Sequence, residues 1–382
     1  MSYTCPMKIG LLHYSMPPTV GGVEHIIAAH HELLNHHGHE VVWFCDEKNP
    51  PSLLCRTVPG FVPDSNNDAQ VGQIVRFLAA QSLDLLIVHN VFTMPFCLSA
   101  TRACHVLAAS NLPVISWVHD IAATNSRYSV PTDSILRRHP AGARVVAISP
   151  ERAASYGAVT GFSQVQVVPN GIHAFGGMRG PLPQSHPHLG EVLTGAFPIL
   201  FHPTRILRRK NIELGIRVVA ELKKNHFAPR LLITGAPEPF SGDQQIYRAE
   251  LDALSAALDV ANEVHFLGDN APLATADVGQ LYSIADALFF PSEHEGFGIP
   301  MLEATLAGLP IFASDTQPLA TLADEHGFSF PLEVEPGRLA VNIADFLASD
   351  AATQRRKTVR EHFDWQEIYR RDILPLLRSV LP

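Results

Sequence analysis

The sequence predicts an α/β protein built from two doubly wound domains. Three observations carry this prediction: the chain has 382 residues, short apolar runs alternate with helical patterns in both halves, and a stretch rich in glycine and proline separates the two series. A single hydrophobic core rarely forms from so many residues, so two domains are expected. Short apolar runs between helices are typical of the buried parallel strands of such domains.

The first series begins with an apolar run at 7–14, followed by a turn-rich loop that contains Gly21 and Gly22. A helical pattern from 23 to about 35 and a strand at 40–45 complete a βαβ unit. Further strands are predicted at 83–88, 114–118, 144–148 and 165–168. We therefore predict an N-terminal Rossmann-like domain over 1–175.

Between 173 and 197 glycines and prolines interrupt every periodicity, which predicts a linker over 176–196. A second series then predicts a C-terminal Rossmann-like domain over 197–364. Its predicted strands are 199–202, 230–234, 264–267, 287–290 and 310–313, and its predicted helices are 212–224, 245–258, 274–283, 300–307, 337–348 and 352–361. Ligands of open α/β sheets bind at the carboxyl ends of the strands, so the default site is a cleft between the domains.

Composition excludes several classes of protein. Apolar residues make up 46% and charged residues 17%, as in ordinary globular proteins. Residues 1–180 contain 11 basic and 11 acidic side chains and the remainder contains 17 and 26, so neither half offers the basic surface of a nucleic-acid-binding protein. Peripheral membrane contact through a local basic patch stays open.

Location and redox state follow from two further features. No apolar run is long enough to span a bilayer, and none of signal-peptide length precedes the first strand. The five cysteines show no paired CxxC spacing, which favours reduced thiols. We expect a cytoplasmic protein.

One stretch at 291–303 combines features of a ligand-binding loop. It follows a predicted buried strand, and Gly296 and Gly298 permit a tight turn before a helix that would begin near Pro300. Glu295 precedes this helix and Glu303 would lie in its first turn. A phosphate could bind the free backbone amides of this turn, and sugar hydroxyls could donate to the two carboxylates. The alternative, that the acids only balance the helix dipole, stays open.

A second loop, 204–211, concentrates four cations, Arg205, Arg208, Arg209 and Lys210, just before a predicted helix with Asn211 as its N-cap. Cations beside the positive end of a helix are unfavourable, so a bound diphosphate would offset their cost. The alternatives are a solvated basic turn, or pairing with acidic residues of the same half.

These motifs together resemble the retaining glycosyltransferases of family four, which have the GT-B fold. The resemblance is densest over 203–315 and also includes Gly21–Gly22, His119–Asp120, Asn170–Gly171 and a closing helix at 365–382. It implies a C-terminal domain that binds a nucleoside-diphosphate sugar and an N-terminal domain that binds the acceptor across a cleft, with the closing helix packed back on the latter. Thr204 and Asn211 depart from positions that are often glycine in the family.

The resemblance also implies residue roles. Arg205 and Lys210 would clamp the diphosphate, Glu303 would bind the ribose and Glu295 the transferred hexose. Gly296, Phe297 and Gly298 would offer amides, His119 would contact the hexose from the other domain, and Gly21 and Gly22 would allow close approach of phosphate or acceptor. The implied catalytic set is His119, Arg205, Lys210 and Glu295.

The implied activity is transfer of a hexose from a donor of the UDP-glucose or GDP-mannose type to an acceptor hydroxyl, on a small molecule or a glycan, without a metal or other cofactor. A GT-B sugar-nucleotide epimerase and a non-catalytic sugar-nucleotide-binding subunit remain as alternatives. The glycines after the first strand do not complete a GxGxxG pattern, which counts against a dehydrogenase. A histidine cluster at 30–39 suggests a metal site, but the preferred interpretation places it on the outer face and end of the first helix.

Overall fold

Two parallel sheets, each with its own helices, make up the protein, as the sequence predicts. The computed structural model describes residues 6–19, 21–46, 55–174, 186, 188–235, 242–269, 273–295, 298–316, 319–322 and 327–380. Contacts group Met1–Gly171 with Ile368–Pro382 in one compact unit and Ile172–Glu367 in the other. The predicted cleft stays a prediction.

The first unit contains a seven-stranded parallel sheet of order β3-β2-β1-β4-β5-β6-β7. Its strands are β1 (Lys8–Leu12), β2 (Glu40–Cys45), β3 (Cys55–Thr57), β4 (Leu85–His89), β5 (Val114–Val118), β6 (Arg144–Ala147) and β7 (Val165–Val167). Its helices up to Gly171 are α1 (Gly22–His36), α2 (Asp68–Ala79), α3 (Leu98–Ala108) and α4 (Pro150–Thr160). The central strands β4 and β5 are buried at every residue, which explains their continuous apolar runs.

The second unit contains a six-stranded parallel sheet of order β10-β9-β8-β11-β12-β13. Its strands are β8 (Ile199–His202), β9 (Arg230–Ile233), β10 (Val264–Phe266), β11 (Ala287–Phe290), β12 (Ile311–Ser314) and β13 (Gly327–Phe330). Its helices are α5 (Leu189–Leu193), α6 (Ile212–Lys224), α7 (Gly242–Ala257), α8 (Thr275–Ile284), α9 (Ile299–Leu306), α10 (Leu319–Leu322), α11 (Pro336–Ser349) and α12 (Ala351–Phe363). The short helix α13 (Trp365–Ile368) includes the boundary between the two units.

Local sequence explains where several helices begin and end. The Asn67 side chain caps α2 by accepting from Gln70 N–H, and Asp350 caps α12 by accepting from Thr353 N–H. Ser149 caps α4, and Gly161 ends that helix in the left-handed conformation. These are the usual preferences of short polar residues at N-termini and of glycine after C-termini.

The last part of the predicted linker 176–196 is folded, whereas 176–185 and 187 lie outside the described residues. Leu189–Leu193 forms α5, and Leu189, Leu193 and Ala196 are buried in a hydrophobic cluster of the second unit. Gly195, which suggested a linker, has φ of 72° just after this helix. It therefore acts as the left-handed residue that follows many helices.

The C-terminal segment is helical as predicted but not as one regular helix. A π-helical turn at Tyr369–Ile373 separates α13 from α14 (Leu374–Val380). The His37 ring stacks on Tyr369 with centroids 3.5 Å apart, and the Arg144 guanidinium donates to the Ser379 carbonyl. These contacts attach the end of the chain to the first unit.

No helix in the part of the chain that the structure describes combines the length and the apolar composition that a bilayer crossing requires.

Candidate functional site

The two central strands of the second sheet place both predicted donor loops side by side. Strand order reverses between β8 and β11, which pair directly through Ala287–Leu200 and Leu288–Phe201. Loop 203–211 follows the carboxyl end of β8 and loop 291–298 follows that of β11. Ligands of open α/β sheets bind at such a reversal, because the two chains leave the sheet in opposite directions and open a crevice there.

Lys210 and Glu295 form an ion pair that joins the two loops. The Lys210 ammonium contacts the Glu295 Oε1 atom, and the two side chains keep only 10% and 13% of their surface exposed. The ammonium also lies 5.3 Å from the centre of the Phe290 ring, within the range of a cation–π contact. Sequence reasoning placed these residues in one site, and the structure brings them into contact across 85 residues of chain.

Backbone hydrogen bonds hold the same loops together. The Arg209 guanidinium donates to the His294 carbonyl at 2.8 Å, and the Glu293 N–H donates to the Arg209 carbonyl, also at 2.8 Å. The Arg209 guanidinium lies 3.8 Å from Glu295. Loop 203–211 is therefore fixed to loop 291–298 on both its side-chain and backbone atoms.

Burial lowers the pKa of the Lys210 ammonium below its usual value. Glu295 opposes this shift, whereas the charges of Arg209 and Arg205 add to it. A buried cation near two others gains from any additional negative charge. The site is thus electrostatically prepared for an anion beyond the one carboxylate it contains.

One of the four cations predicted to bind a diphosphate, Arg208, has an acidic partner within the protein. Arg208 forms a two-pronged hydrogen bond with Glu250, at 2.7 and 2.8 Å, on the exposed surface. It therefore has the acidic partner that the alternative interpretation offered. Arg205 is exposed, and its loop packs tightly on Gly235, where an added Cβ would lie 2.3 Å from the Thr204 carbonyl oxygen.

Asn211 occupies the predicted N-cap position of α6, but its side chain makes no capping hydrogen bond, and its φ of 48° places it in the left-handed region. Asparagine tolerates that region better than most residues, so its role here is to turn the chain between the 3-10 helix Arg208–Lys210 and α6.

Glu303 lies in the second turn of α9, not in its first turn as predicted, because the helix begins at Ile299. The Tyr282 hydroxyl donates to Glu303 Oε2 at 2.7 Å. No acidic residue lies in the first turn of α9, and Glu295 pairs with Lys210, so the dipole alternative loses support. Gly298 precedes the helix with φ of 96°, whereas Gly296 and Phe297 lie outside the described residues.

In the first unit, the carboxyl ends of β4 and β5 converge around His119. Asn90 accepts the backbone N–H of His119 at 2.8 Å and that of Asp120 at 3.0 Å. His119 is buried, and its Nε2 lies 3.0 Å from Nδ1 of His89. Burial lowers the pKa of His119 to about 3, with smaller contributions from His30 and His13. The imidazole is therefore neutral near pH 7.

Gly21 is the N-cap residue of α1 and Gly22 is its first residue, and this helix follows β1, where the first sheet also reverses its strand order. The Glu24 carboxylate folds over Gly21, where a Cβ would lie 2.1 Å from Oε2. Ser15 Oγ contacts the same carboxylate, and His13 Nε2 lies 3.9 Å from it. A carboxylate thus already occupies the space over Gly21, which disfavours an anion there.

The histidine cluster of α1 fits the prediction in part: His36 is exposed at the end of the helix, whereas His30 and His39 are buried. His30 is buried against the Trp117 ring at 4.5 Å and the His89 ring at 5.4 Å, so it faces the core and not the outer surface. His39 is buried too, and its Nδ1 accepts the Met7 N–H. Among the described residues, no group of three or more histidine, cysteine, aspartate or glutamate side chains is arranged to hold a metal.

Sequence reasoning did not single out five polar residues next to the predicted ones: His13, Glu24, His89, Asn90 and Tyr282. His13 and Asn90 directly follow β1 and β4, and His89 is the last residue of β4, so position at the carboxyl end of a central strand would have identified these three. Tyr282 gives no such signal, because it lies within α8 and meets Glu303 only through folding.

Comparisons with known proteins agree with this architecture. Residues 192–362 match the family described as Glycosyl transferases group 1, and residues 20–174 match Glycosyltransferase Family 4. The first match covers all strands of the second sheet, and the second match covers the first sheet except β1.

Individual relatives are more distant. Glycogen synthase of Mycobacterium tuberculosis is 28% identical over 215 residues, 54% of this chain and 47% of the relative. D-inositol 3-phosphate glycosyltransferase of Nocardia farcinica is 31% identical over 160 residues, 41% and 34% of the two chains. In both, the match spans less than half of the relative. Mannosylglucosylglycerate synthase of Petrotoga mobilis is 25% identical over 334 residues, 78% of this chain and 76% of the relative.

Both halves of the chain match glycosyltransferase families, and both contain the expected parallel α/β sheet. The chain belongs to the group 1 glycosyltransferases and has the GT-B class of fold.

Proposed function

We propose that this glycosyltransferase moves a hexose, with retention of configuration, from a nucleoside-diphosphate sugar to an acceptor hydroxyl. The observation that carries the proposal is the buried Lys210–Glu295 pair at the reversal between β8 and β11. It places a cation for phosphate beside a carboxylate for sugar hydroxyls, in the crevice where such sheets bind ligands.

The diphosphate is assigned to the cationic loop. Lys210 is poised for an anion by its lowered pKa, and Arg205 is an exposed cation on the same loop. Fixed positive charge stabilises the diphosphate most when negative charge grows on it as the sugar leaves, which is how such groups accelerate transfer. Arg208 is not assigned this role, because its guanidinium points to Glu250 on the exposed surface.

The carboxylates are assigned to the hydroxyls on either side of the diphosphate. Glu295 would accept hydrogen bonds from hydroxyls of the hexose, and Glu303 would accept them from hydroxyls of the ribose. Tyr282 already donates to one oxygen of Glu303, which orients the carboxylate and leaves its other oxygen for a ligand. In the first unit, His119 is the residue that we assign to substrate.

Retention requires that the acceptor attack from the side on which the diphosphate leaves. The diphosphate can then take the proton of the acceptor hydroxyl, so no side chain is needed as base or as covalent nucleophile. The loops around Lys210 contribute positioning and charge, and the proposal assigns charge neutralisation to Lys210 and Arg205 in place of a metal.

The donor class can be tested by thermal stabilisation of the protein with UDP-, GDP- and ADP-sugars, since a ligand of the native state raises its stability. Transfer should then be measured with the stabilising donor in buffer with chelator. We expect Lys210→Ala and Glu295→Ala to lower the transfer rate at least ~100-fold. Arg208→Ala is the matched control from the same loop and should retain most of the rate.

Three results would contradict the proposal. Near-normal transfer by Lys210→Ala or Glu295→Ala would remove the assigned roles, and strict dependence on a divalent metal would remove the assignment of charge neutralisation. Release of a free epimerised sugar without acceptor would identify an epimerase, and donor binding without transfer or hydrolysis would identify a non-catalytic binding subunit.

A further inference from the structure

His89 lies directly behind His119 and is completely buried. It ends β4, next to β5, and the two rings are stacked with their centres 5.3 Å apart. The one polar contact between them joins His89 Nδ1 to His119 Nε2 at 3.0 Å. Because Nε2 is used in this contact, Nδ1 is the nitrogen of His119 left to meet a substrate.

Burial keeps His89 uncharged, because it lowers the pKa of the imidazole well below its usual value. The ionisable groups around it add to this shift, and they are His119 after β5, His30 on α1 and His13 after β1. Two neutral imidazoles share the contact, so one ring donates its hydrogen and the other accepts it.

The second nitrogen of His89 decides which ring donates. His89 Nε2 is buried, and none of the residues that the structure describes gives it a hydrogen-bond partner. If His119 donated, the hydrogen of His89 would lie on this isolated nitrogen as a buried, unsatisfied N–H. Buried unsatisfied donors are rarer in proteins than under-used acceptors. His89 therefore carries its hydrogen on Nδ1 and donates to His119.

We propose that His89 is a positioning residue that holds His119 in the tautomer with hydrogen on Nδ1, so that His119 presents an N–H donor to a substrate oxygen. Asn90 completes the arrangement by accepting the backbone N–H groups of His119 and Asp120. The catalytic consequence rests on the proposed function, whereas the tautomer itself does not.

Amide side chains can separate the two nitrogens of His89. Asparagine places an N–H near the position of Nδ1, whereas glutamine reaches the position of Nε2, and leucine offers no polar group. We expect His89→Asn to keep kcat within ~5-fold of wild type. His89→Gln and His89→Leu should lower kcat ~10- to 100-fold and change the donor KM less than ~3-fold. A loss in kcat with little change in KM is the pattern of a contact made mainly in the transition state. His105→Leu, a histidine substitution in α3 away from this contact, is the control for stability and should leave kcat unchanged.

Nitrogen-15 NMR of histidine-labelled protein reports the tautomer without any turnover. The His119 signal, assigned by its loss in His119→Asn, should show the Nδ1–H form in wild type and a shift towards Nε2–H in His89→Leu. An Nε2–H form in wild type would overturn the proposal, as would wild-type kcat in a folded His89→Leu protein or equal losses in the Asn and Gln variants. If the NMR result holds while no donor is transferred, the proposed function fails and the tautomer assignment stands.

Discussion

Removing the carboxylate from the Lys210–Glu295 pair should weaken the fold and strengthen diphosphate binding. In Glu295→Gln, the ammonium loses its ionic partner while it remains about nine-tenths covered. Breaking a fully buried pair costs about 3–5 kcal/mol. The residual exposure of both side chains reduces this, and we expect a loss of about 2 kcal/mol in the free energy of unfolding of the second unit.

A loss of about 2 kcal/mol corresponds to a fall in Tm of roughly 4–8 °C, because 1 kcal/mol moves Tm by about 2–4 °C in a domain of this size. A bound diphosphate would return a negative charge to Lys210. In the variant it does so without displacing Glu295, so pyrophosphate should bind ~10- to 30-fold more tightly than to wild type, the equivalent of about 1.4–2 kcal/mol. Pyrophosphate is the right probe because it lacks the sugar that Glu295 is proposed to contact.

Calorimetric titration with pyrophosphate and thermal unfolding at pH 7 test both halves of this prediction. Adding Lys210→Met to Glu295→Gln should abolish the gain in pyrophosphate affinity. The double variant should also be more stable than the sum of the two single losses in unfolding free energy predicts, because neither charge then remains buried alone. A Glu295→Gln protein with wild-type Tm and wild-type pyrophosphate affinity would refute the reasoning.

Three further predictions use the same loops. Donor affinity should be greatest at pH values below the lowered pKa of Lys210 and should fall as pH rises through it, because only the ammonium form attracts phosphate; titration at increasing pH measures this. Tyr282→Phe should raise donor KM ~3- to 10-fold with little change in kcat, because Glu303 loses the hydroxyl that orients it. Gly235→Ala should cost about 1–3 kcal/mol of unfolding free energy and weaken donor binding, because its Cβ would push on the Thr204 carbonyl.

Each of these has a result that would contradict it. Affinity that is constant with pH in wild type would show that Lys210 does not meet the phosphate. An unchanged KM in Tyr282→Phe would remove Glu303 from the ribose. Gly279→Ala is the control for Gly235→Ala, since a Cβ there meets nothing within 4 Å on a helix. Equal effects of the two substitutions would show that close packing at Gly235 is unimportant.

The fold could be predicted at the strands that are buried on both faces, because such strands have continuous apolar sequences. The central strands β1, β4, β5, β8 and β11 all have such runs. The edge strands β3 and β13 were not predicted. They have only three and four residues and are only partly buried, as Cys55–Thr57 and Gly327–Phe330 show. A short edge strand is fixed mainly by the neighbour it pairs with, which a local pattern does not contain.

The site could be predicted in its residue types but not in its pairings. Charge counting along 204–211 predicted cations in need of an anion, and the structure supplies Glu250 for Arg208 and Glu295 for Lys210. Both partners lie far away in sequence. Long-range pairs of this kind depend on which strands become neighbours, so they follow from topology and not from spacing.

The pairing of Lys210 changes what a ligand must do in the proposed site. A diphosphate that binds there does not meet a bare cation, since Glu295 already shares the ammonium. Binding must therefore exchange the partners of the pair. The phosphate replaces Glu295 as the partner of the Lys210 ammonium, and the Glu295 carboxylate becomes available to accept hydrogen bonds from hydroxyl groups. A nucleoside-diphosphate sugar supplies both groups at once, phosphate oxygens for the lysine and sugar hydroxyls for the glutamate. Inorganic anions supply only the first, so wild type should discriminate against them, and Glu295→Gln should lose much of that discrimination.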